Sequence, residues 1–143
     1  AKRGPRRLIS VVLGANSDAT RASESLKLLN WGFQFYEAVQ LYAKDQAVSS
    51  LKVWKGASST LKAGFTSDFI LAVPKGFGPK VQADLVSQQP LVAPISAGQV
   101  VGTMKVSVDG KPYGDFPVVA LETVPQAGIF GRAIDTVRLW FNK

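Results

Sequence analysis

Apolar and polar residues change rhythm several times along the chain, and each change marks a different element. "RRLISVVLGA", Arg6 to Ala15, is apolar and β-branched at successive positions. A stretch apolar on both faces predicts a strand buried within a sheet. One strand cannot satisfy its own backbone, so its neighbours have to come from elsewhere. The next stretch, "NSDATRASESLKLLNWGFQFYEAV", moves to helical spacing. Ala22, Leu26, Leu29, Phe33 and Tyr36 follow at steps of four, three, four and three and form one apolar stripe. Ser17 or Asp18 is placed to cap that helix by accepting from its orphan N–H groups. Gly32 inside it costs roughly 1 kcal/mol relative to alanine, which predicts close packing there.

Beyond about residue 40 the period falls to two. "LKVWKG", "FILAVPKG", "KVQADLVS" and "QVVGTMKVSVDGKPYGDFPVVALETV" alternate apolar and polar residues. Asp109-Gly110, between "MKVSV" and "KPYGDFPVVAL", is the strongest hairpin signal in the chain. At least five strands with no helix between them predict a small antiparallel sandwich or barrel, and therefore a domain boundary near residue 40. The end of the chain, "IFGRAIDTVRLWFNK", reverts to helical period. At 100° per residue Ile129, Phe130, Ala133, Ile134, Val137, Trp140 and Phe141 fall within an arc of roughly 140°. Arg132, Asp135, Thr136 and Arg138 lie opposite, and Leu139 is the exception. Such a helix, ~22 Å long, is too short to span a bilayer and suited to lying in its interface. No internal repeat and no low-complexity segment interrupts this order.

Composition narrows the chemistry. The chain has no Cys and no His, which removes thiolate nucleophiles, the usual zinc sites, iron–sulfur clusters and any imidazole base. No cofactor and no metal is expected. Among 143 residues, 13 Gly and 8 Pro favour turns and short strands over a helical bundle. A net charge of +7 suits an acidic surface, whether anionic lipid, nucleic acid or wall polymer, without choosing among them. A basic, solvated face is the ordinary alternative. No apolar run approaches the ~20 residues of a spanning helix. "AKRGPRR" is basic but is followed by no apolar stretch with a small-residue cleavage site, so the start reads as a position inside a longer protein.

Two short motifs invite a catalytic reading. Ser59-x-x-Lys62 and Ser49-x-x-Lys52 have the spacing of nucleophile and base in serine acyltransferases, and Lys62-Ala63-Gly64 approximates their Lys-(Thr/Ser)-Gly strand. That chemistry needs the serine at a helix start, where residues three apart share a face. Here both motifs fall among short strands, on which an offset of three sends the side chains to opposite faces. Lys62-Ala63-Gly64 also lacks the central hydroxyl. No Ser-x-Asn occurs, since the residues two before Asn16, Asn30 and Asn142 are Gly14, Leu28 and Trp140. These are chance matches, and no catalytic residue is assigned.

A longer resemblance covers the whole chain. "RRLISVVLGANSDATRASESLKLLNWGFQFYE" resembles the final strand and helix of the catalytic domain of D-alanyl-D-alanine carboxypeptidases, the low-molecular-mass penicillin-binding proteins. "LAVPKG", "QVVGTMKVSVDGK" and "FPVVALETVPQAGIFGRAID" then resemble that family's C-terminal β-rich domain and trailing helix. The resemblance implies an α+β piece of a penicillin-binding, β-lactamase-like domain over residues 1–39. An all-β, sandwich-like domain over 40–126 and an amphipathic membrane-associating helix over 127–143 follow. It implies a serine-type carboxypeptidase that trims the terminal D-alanine from peptidoglycan stem peptides in cell-wall synthesis and shape, with β-lactams trapping the same serine. The Ser-x-x-Lys helix, Ser-x-Asn loop and Lys-Thr-Gly strand would all precede Ala1, so residues 1–143 alone would be inactive.

The same resemblance assigns Arg21, in the first helical turn, to the substrate's terminal carboxylate, which a guanidinium can hold by two parallel hydrogen bonds. The alternative is a solvated residue paired with Glu24. Phe130, Ile134, Val137, Trp140 and Phe141 would associate with the inner-membrane surface, leaving the protein periplasmic and peripherally attached. A second reading is a non-enzymatic basic β-module that binds nucleic acid or polysaccharide. Against it, the basic residues are spread along the chain rather than clustered with exposed aromatics, and no nucleic acid is expected.

Overall fold

The computed structural model describes residues 1–128 and 137–141. Its elements are β1 (Lys2–Arg3), β2 (Arg6–Arg7), α1 (Asp18–Phe35), β3 (Tyr36–Tyr42), β4 (Ala47–Trp54), β5 (Thr60–Gly64), β6 (Phe69–Pro74), β7 (Val81–Ser87), β8 (Leu91–Val92), β9 (Val100–Val108) and β10 (Lys111–Ala120). The described residues are thus mostly β with one long helix. It divides into two compact units, residues 1–39 with 71–79, and residues 40–70 with 80–143.

In the first unit β1 and β2 form a hairpin around Gly4-Pro5, with Lys2 opposite Arg7 and Arg3 opposite Arg6. Gly4 takes φ +58°, a left-handed conformation that glycine adopts without penalty. The helix starts as its sequence predicts. Ser17 is the extended cap, its side chain accepting from the Thr20 amide at 3.1 Å. Gly32 also behaves as predicted: a Cβ there would lie 2.8 Å from Leu8 Cδ1, so Leu8 rests on the helix backbone. The stripe fades toward the N-terminus. Phe33 is buried and Leu29 and Tyr36 are half-buried, but Ala22 and Leu26 are exposed.

Two expectations fail here. Arg6 to Ala15 is not a buried strand: only Arg6 and Arg7 form a strand, Leu8 extends its pairing by exchanging bonds with Ala1, and residues 9–15 join no ladder. Ile9, Val11 and Leu13 are 78%, 74% and 89% exposed, while Leu8, Ser10 and Val12 between them are half-buried. The period-two alternation survives, but no strand among the described residues supplies the backbone partners. The helix also stops at Phe35 rather than running on to Val39. Tyr36 turns extended (φ −118°, ψ 151°) and begins β3. Three non-local donors close the end of the helix. Arg6 donates to the carbonyls of Phe33 (2.9 Å) and Tyr36, and the Lys75 amide donates to the Phe35 carbonyl at 2.9 Å.

The second unit holds a six-stranded sheet in the order β7-β9-β10-β5-β4-β8, and β3 pairs with β6 in a two-stranded one. Neighbouring strands of the large sheet are antiparallel except β4 and β8, which run parallel through Val53–Leu91 and Trp54–Val92. Asp109-Gly110 makes the predicted hairpin turn between β9 and β10, with both residues at positive φ (52° and 74°). Strict alternation in β6 buries Phe69, Leu71 and Val73 and exposes the residues between. Leu61, Val101, Met104 and Val118 are almost wholly buried, and Val101 and Met104, three apart on β9, are both buried because the β9–β10 register slips at Val101. After β10 the chain folds back: Ile95 bridges Val124 and Gly56 bridges Gln126. Among the described residues no buried side-chain polar atom lacks a partner.

Gly64 makes the sharpest packing demand. A Cβ there would collide with the carbonyl oxygen of Gln46 and approach Leu121 Cδ1 to 2.8 Å. Backbone cannot give way as a flexible side-chain end can. Gly64→Ala is therefore expected to lower stability by about 1–3 kcal/mol, read as a lower urea midpoint. Gly128→Ala, where nothing lies within 4 Å, should stay within ~0.5 kcal/mol of wild type. Equal midpoints for the two variants would contradict this packing.

Candidate functional site

Arg21 projects from the first turn of α1. Its Nη1 lies 3.2 Å from Asp18 Oδ1, and the two side chains are 58% and 95% exposed. The predicted alternative partner was Glu24, but Lys27 Nζ occupies Glu24 at 2.7 Å. Both i,i+3 pairings are geometrically open on a helix, and the competing lysine decides between them. Asp18 also belongs where it stands, because a carboxylate in the first turn suits the positive end of the helix. An exposed pair of this kind is worth at most about 1 kcal/mol. Arg21 can thus exchange Asp18 for another carboxylate at little cost. The nearby Ser17 hydroxyl is engaged with Thr20 Oγ1 at 2.9 Å and serves the cap.

The serine–lysine motifs lie on strands. Leu61 and Ala63 of β5 are buried, and Lys62 between them is exposed; Ser59 precedes the strand, and its carbonyl accepts from the Val53 amide at 2.9 Å. On β4, Ser49 is half-buried and Lys52 is exposed, with Lys52 Nζ 4.1 Å from the centre of the Trp54 ring. Neither geometry aims a lysine amine at a serine hydroxyl. Among the described residues no group of three His, Cys, Asp or Glu side chains could hold a metal ion.

Residues 137–141 are helical. Val137, Trp140 and Phe141 are 54%, 77% and 76% exposed, while Leu139 is half-buried. The offsets of three and four place Val137, Trp140 and Phe141 on one face, and the last two rings meet edge to face with centroids 5.6 Å apart. Phe130 and Ile134, predicted to share that face, lie outside the described residues, as do Arg132 and Lys143. Arg21 belongs to the first unit and 137–141 to the second. No described helix is long and apolar enough to cross a membrane.

Sequence reasoning missed two features. One is a row of rings in the β-rich unit: Tyr42 stacks on Phe65 (6.0 Å), Phe65 on Phe69 (4.3 Å), and Phe69 meets Phe116 edge-on (4.9 Å). A cleft of about 250 Å³ opens beside it, lined by Phe65, Phe69, Phe116, Pro117 and the Thr66 and Ser67 turn. Its signal was present as two Phe four residues apart around "TSD", a turn held by Asp68 Oδ1 accepting from the Lys44 amide at 2.8 Å. The other is a cleft of about 300 Å³ in the first unit, between residues 8–11 and the Leu28, Leu29, Trp31 and Gly32 positions of α1.

The profile of one family, described as the penicillin-binding protein 5 C-terminal domain, matches residues 36–126. Among curated relatives the chain is 38% identical to D-alanyl-D-alanine carboxypeptidase DacC of Escherichia coli, with 100% of the chain and 36% of that protein aligned. It is 32% identical to the carboxypeptidase DacF of Bacillus subtilis, over 98% of the chain and 36% of the relative. Among solved structures it is similar to penicillin binding protein 5 from Haemophilus influenzae. That match has a TM-score of 0.71 and 29% identity, covering 80% of the chain and 34% of the other. The chain thus spans about a third of the length of the relatives it matches.

Proposed function

The chain belongs to the family of the penicillin-binding protein 5 C-terminal domain, and from that membership we propose that it is the C-terminal part of a serine-type D-alanyl-D-alanine carboxypeptidase. The observation that carries this reading is coverage: the carboxypeptidase DacC aligns with all of the chain in order, while the chain takes up 36% of it. The nucleophilic serine and its lysine belong to the remaining part of the protein. There the serine attacks the peptide bond before the terminal D-alanine of a peptidoglycan stem peptide. D-alanine leaves, and water hydrolyses the acyl-enzyme; a β-lactam acylates the same serine. Arg21, weakly held by Asp18, takes the terminal carboxylate of the incoming peptide by charge-assisted hydrogen bonds. The β-rich unit is a stalk, and the end of the chain rests on the periplasmic face of the inner membrane.

The physical case for the membrane contact is the pair Trp140–Phe141. Two large exposed rings on a helical face beside Arg138 suit an interface, where the rings enter the acyl boundary and the guanidinium stays at headgroup level. A net charge of +7 adds attraction to anionic lipid, which salt weakens.

Three measurements test this. Labelled penicillin should acylate the intact protein at a serine outside residues 1–143 and leave an isolated 1–143 fragment unlabelled; adduct on Ser49 or Ser59 would overturn the assignment. Arg21→Ala in the intact protein should lower kcat/KM for a D-Ala-D-Ala peptide about ten- to hundred-fold, the loss expected for one hydrogen bond to a charged group, with an unchanged urea midpoint. Unchanged kinetics would make Arg21 an ordinary surface residue. In vesicle flotation, Trp140→Glu should cut binding to anionic liposomes roughly ten-fold or more, in keeping with the ~1.5–3 kcal/mol gained by burying a large apolar side chain. Equal flotation by a form lacking residues 129–143 would exclude the anchor.

A further inference from the structure

The hairpin β1–β2 carries four cations within six residues, Lys2, Arg3, Arg6 and Arg7, and they face one another in pairs. Like charges opposite each other on an antiparallel ladder are destabilising. One pair is compensated. Arg3 and Arg6 lie over the Phe33 ring, 4.7 and 5.1 Å from its centre. Arg3 also donates to Asn30 Oδ1, and Arg6 to the carbonyls of Phe33 and Tyr36. Lys2 and Arg7 point to the other face, are exposed, and have no acidic partner among the described residues.

The register makes this second pair the closer one. Leu8 donates to the Ala1 carbonyl at 2.8 Å and accepts from the Ala1 nitrogen at 2.7 Å, so Ala1 and Leu8 are a hydrogen-bonded pair. Lys2 and Arg7, next along the ladder, are therefore a non-hydrogen-bonded pair. In such pairs the Cα atoms approach to about 4.5 Å and the side chains stand closer together. Arg21, Lys27 and Lys80, by contrast, each lie beside a carboxylate. Here the backbone sets two cationic residues directly opposite each other, with no acidic partner among the described residues.

We propose that Lys2 and Arg7 form a binding site for a phosphate group, independent of the carboxypeptidase reading. The charge argument selects the ligand. A phosphate monoester carries about −1.5 to −2 near neutral pH and three acceptor oxygens, matching two cations, whereas one carboxylate leaves half the charge unanswered. The Arg7 guanidinium offers two parallel N–H donors to two oxygens, and the Lys2 ammonium acts as a compact point charge on the third. Binding converts the cross-strand repulsion into a bridge, so the hairpin is tightest when the site is filled.

The test is residue-resolved NMR and amide hydrogen exchange on the intact protein, titrated with inorganic phosphate and, at matched ionic strength, with sodium chloride. Phosphate alone should shift the Lys2, Arg7 and Leu8 amides saturably and slow exchange at Leu8. The double variant Lys2→Gln/Arg7→Gln should lose that response, weakened about ten-fold or more, yet exchange more slowly than wild type without phosphate because the repulsion is gone. Lys2→Arg, which keeps both charges, should keep the response and guards against a variant that merely fails to fold. Equal effects of chloride would reduce the finding to screening and overturn the site, as would an equal phosphate response in the double variant. Phospholipid vesicles that compete with inorganic phosphate at these amides would place the phosphate on a lipid headgroup. Absence of competition, with the phosphate response intact, would place it on a soluble compound.

Discussion

Two residue pairs join the halves of the large sheet. β10 runs along β9 over most of its length, but meets β5 only through Val119 opposite Gly64 and Ala120 opposite Ala63. On one side of that junction lie β7, β9 and β10, and on the other β5, β4 and β8. Further bonds reinforce it, from the Leu121 amide to the Lys62 carbonyl at 2.9 Å and from the Lys62 amide to Glu122 Oε1 at 2.9 Å. The strands cross so closely that position 64 has no room for a methyl group, and the Gln46 carbonyl fills the space. A core built on Leu61, Val101 and Val118 depends on this short overlap, because those residues come from β5, β9 and β10.

The first unit obeys a different constraint. Its backbone is closed by side chains far away in sequence, chiefly Arg6 on the last carbonyls of α1 and Glu37 Oε1 on the amides of Gly76 and Gly78 at 3.1 and 3.2 Å. One guanidinium thus ends the helix, packs on Phe33 and belongs to the hairpin at once. Residues 8–15 have no such closure. Their alternating pattern presents Ile9, Val11 and Leu13 outward.

Local signals were legible in the sequence, and non-local closures were not. Asp109-Gly110 announced its hairpin because a two-residue turn with two positive φ angles demands those residue types. Ser17 announced the helix start, and Gly32 the contact with Leu8, for similarly local reasons. The strand β3 was hidden, since "YEAV" continues the helical period well enough, and only Arg6 and Lys75 decide that the helix ends before it. The two-residue strand β8, parallel to β4, has no periodicity to read. At the candidate site, Arg21 was placed correctly in the first turn, but its partner was not. Choosing Asp18 over Glu24 required knowing that Lys27 takes Glu24. The aromatic row escaped because Tyr42, Phe65, Phe69 and Phe116 come from different strands and turns.

The short overlap between β10 and β5 also has a kinetic meaning. The β9–β10 hairpin closes through a two-residue turn and zips from it, a local event on the microsecond scale. Val119 and Gly64 are about 55 residues apart, and the entropy of closing so long a loop must be paid before their few hydrogen bonds repay it. The two halves of the sheet can therefore be largely formed while still unjoined, each with a strand edge open. Of the two closures, the junction is the one with the larger loop-closing cost.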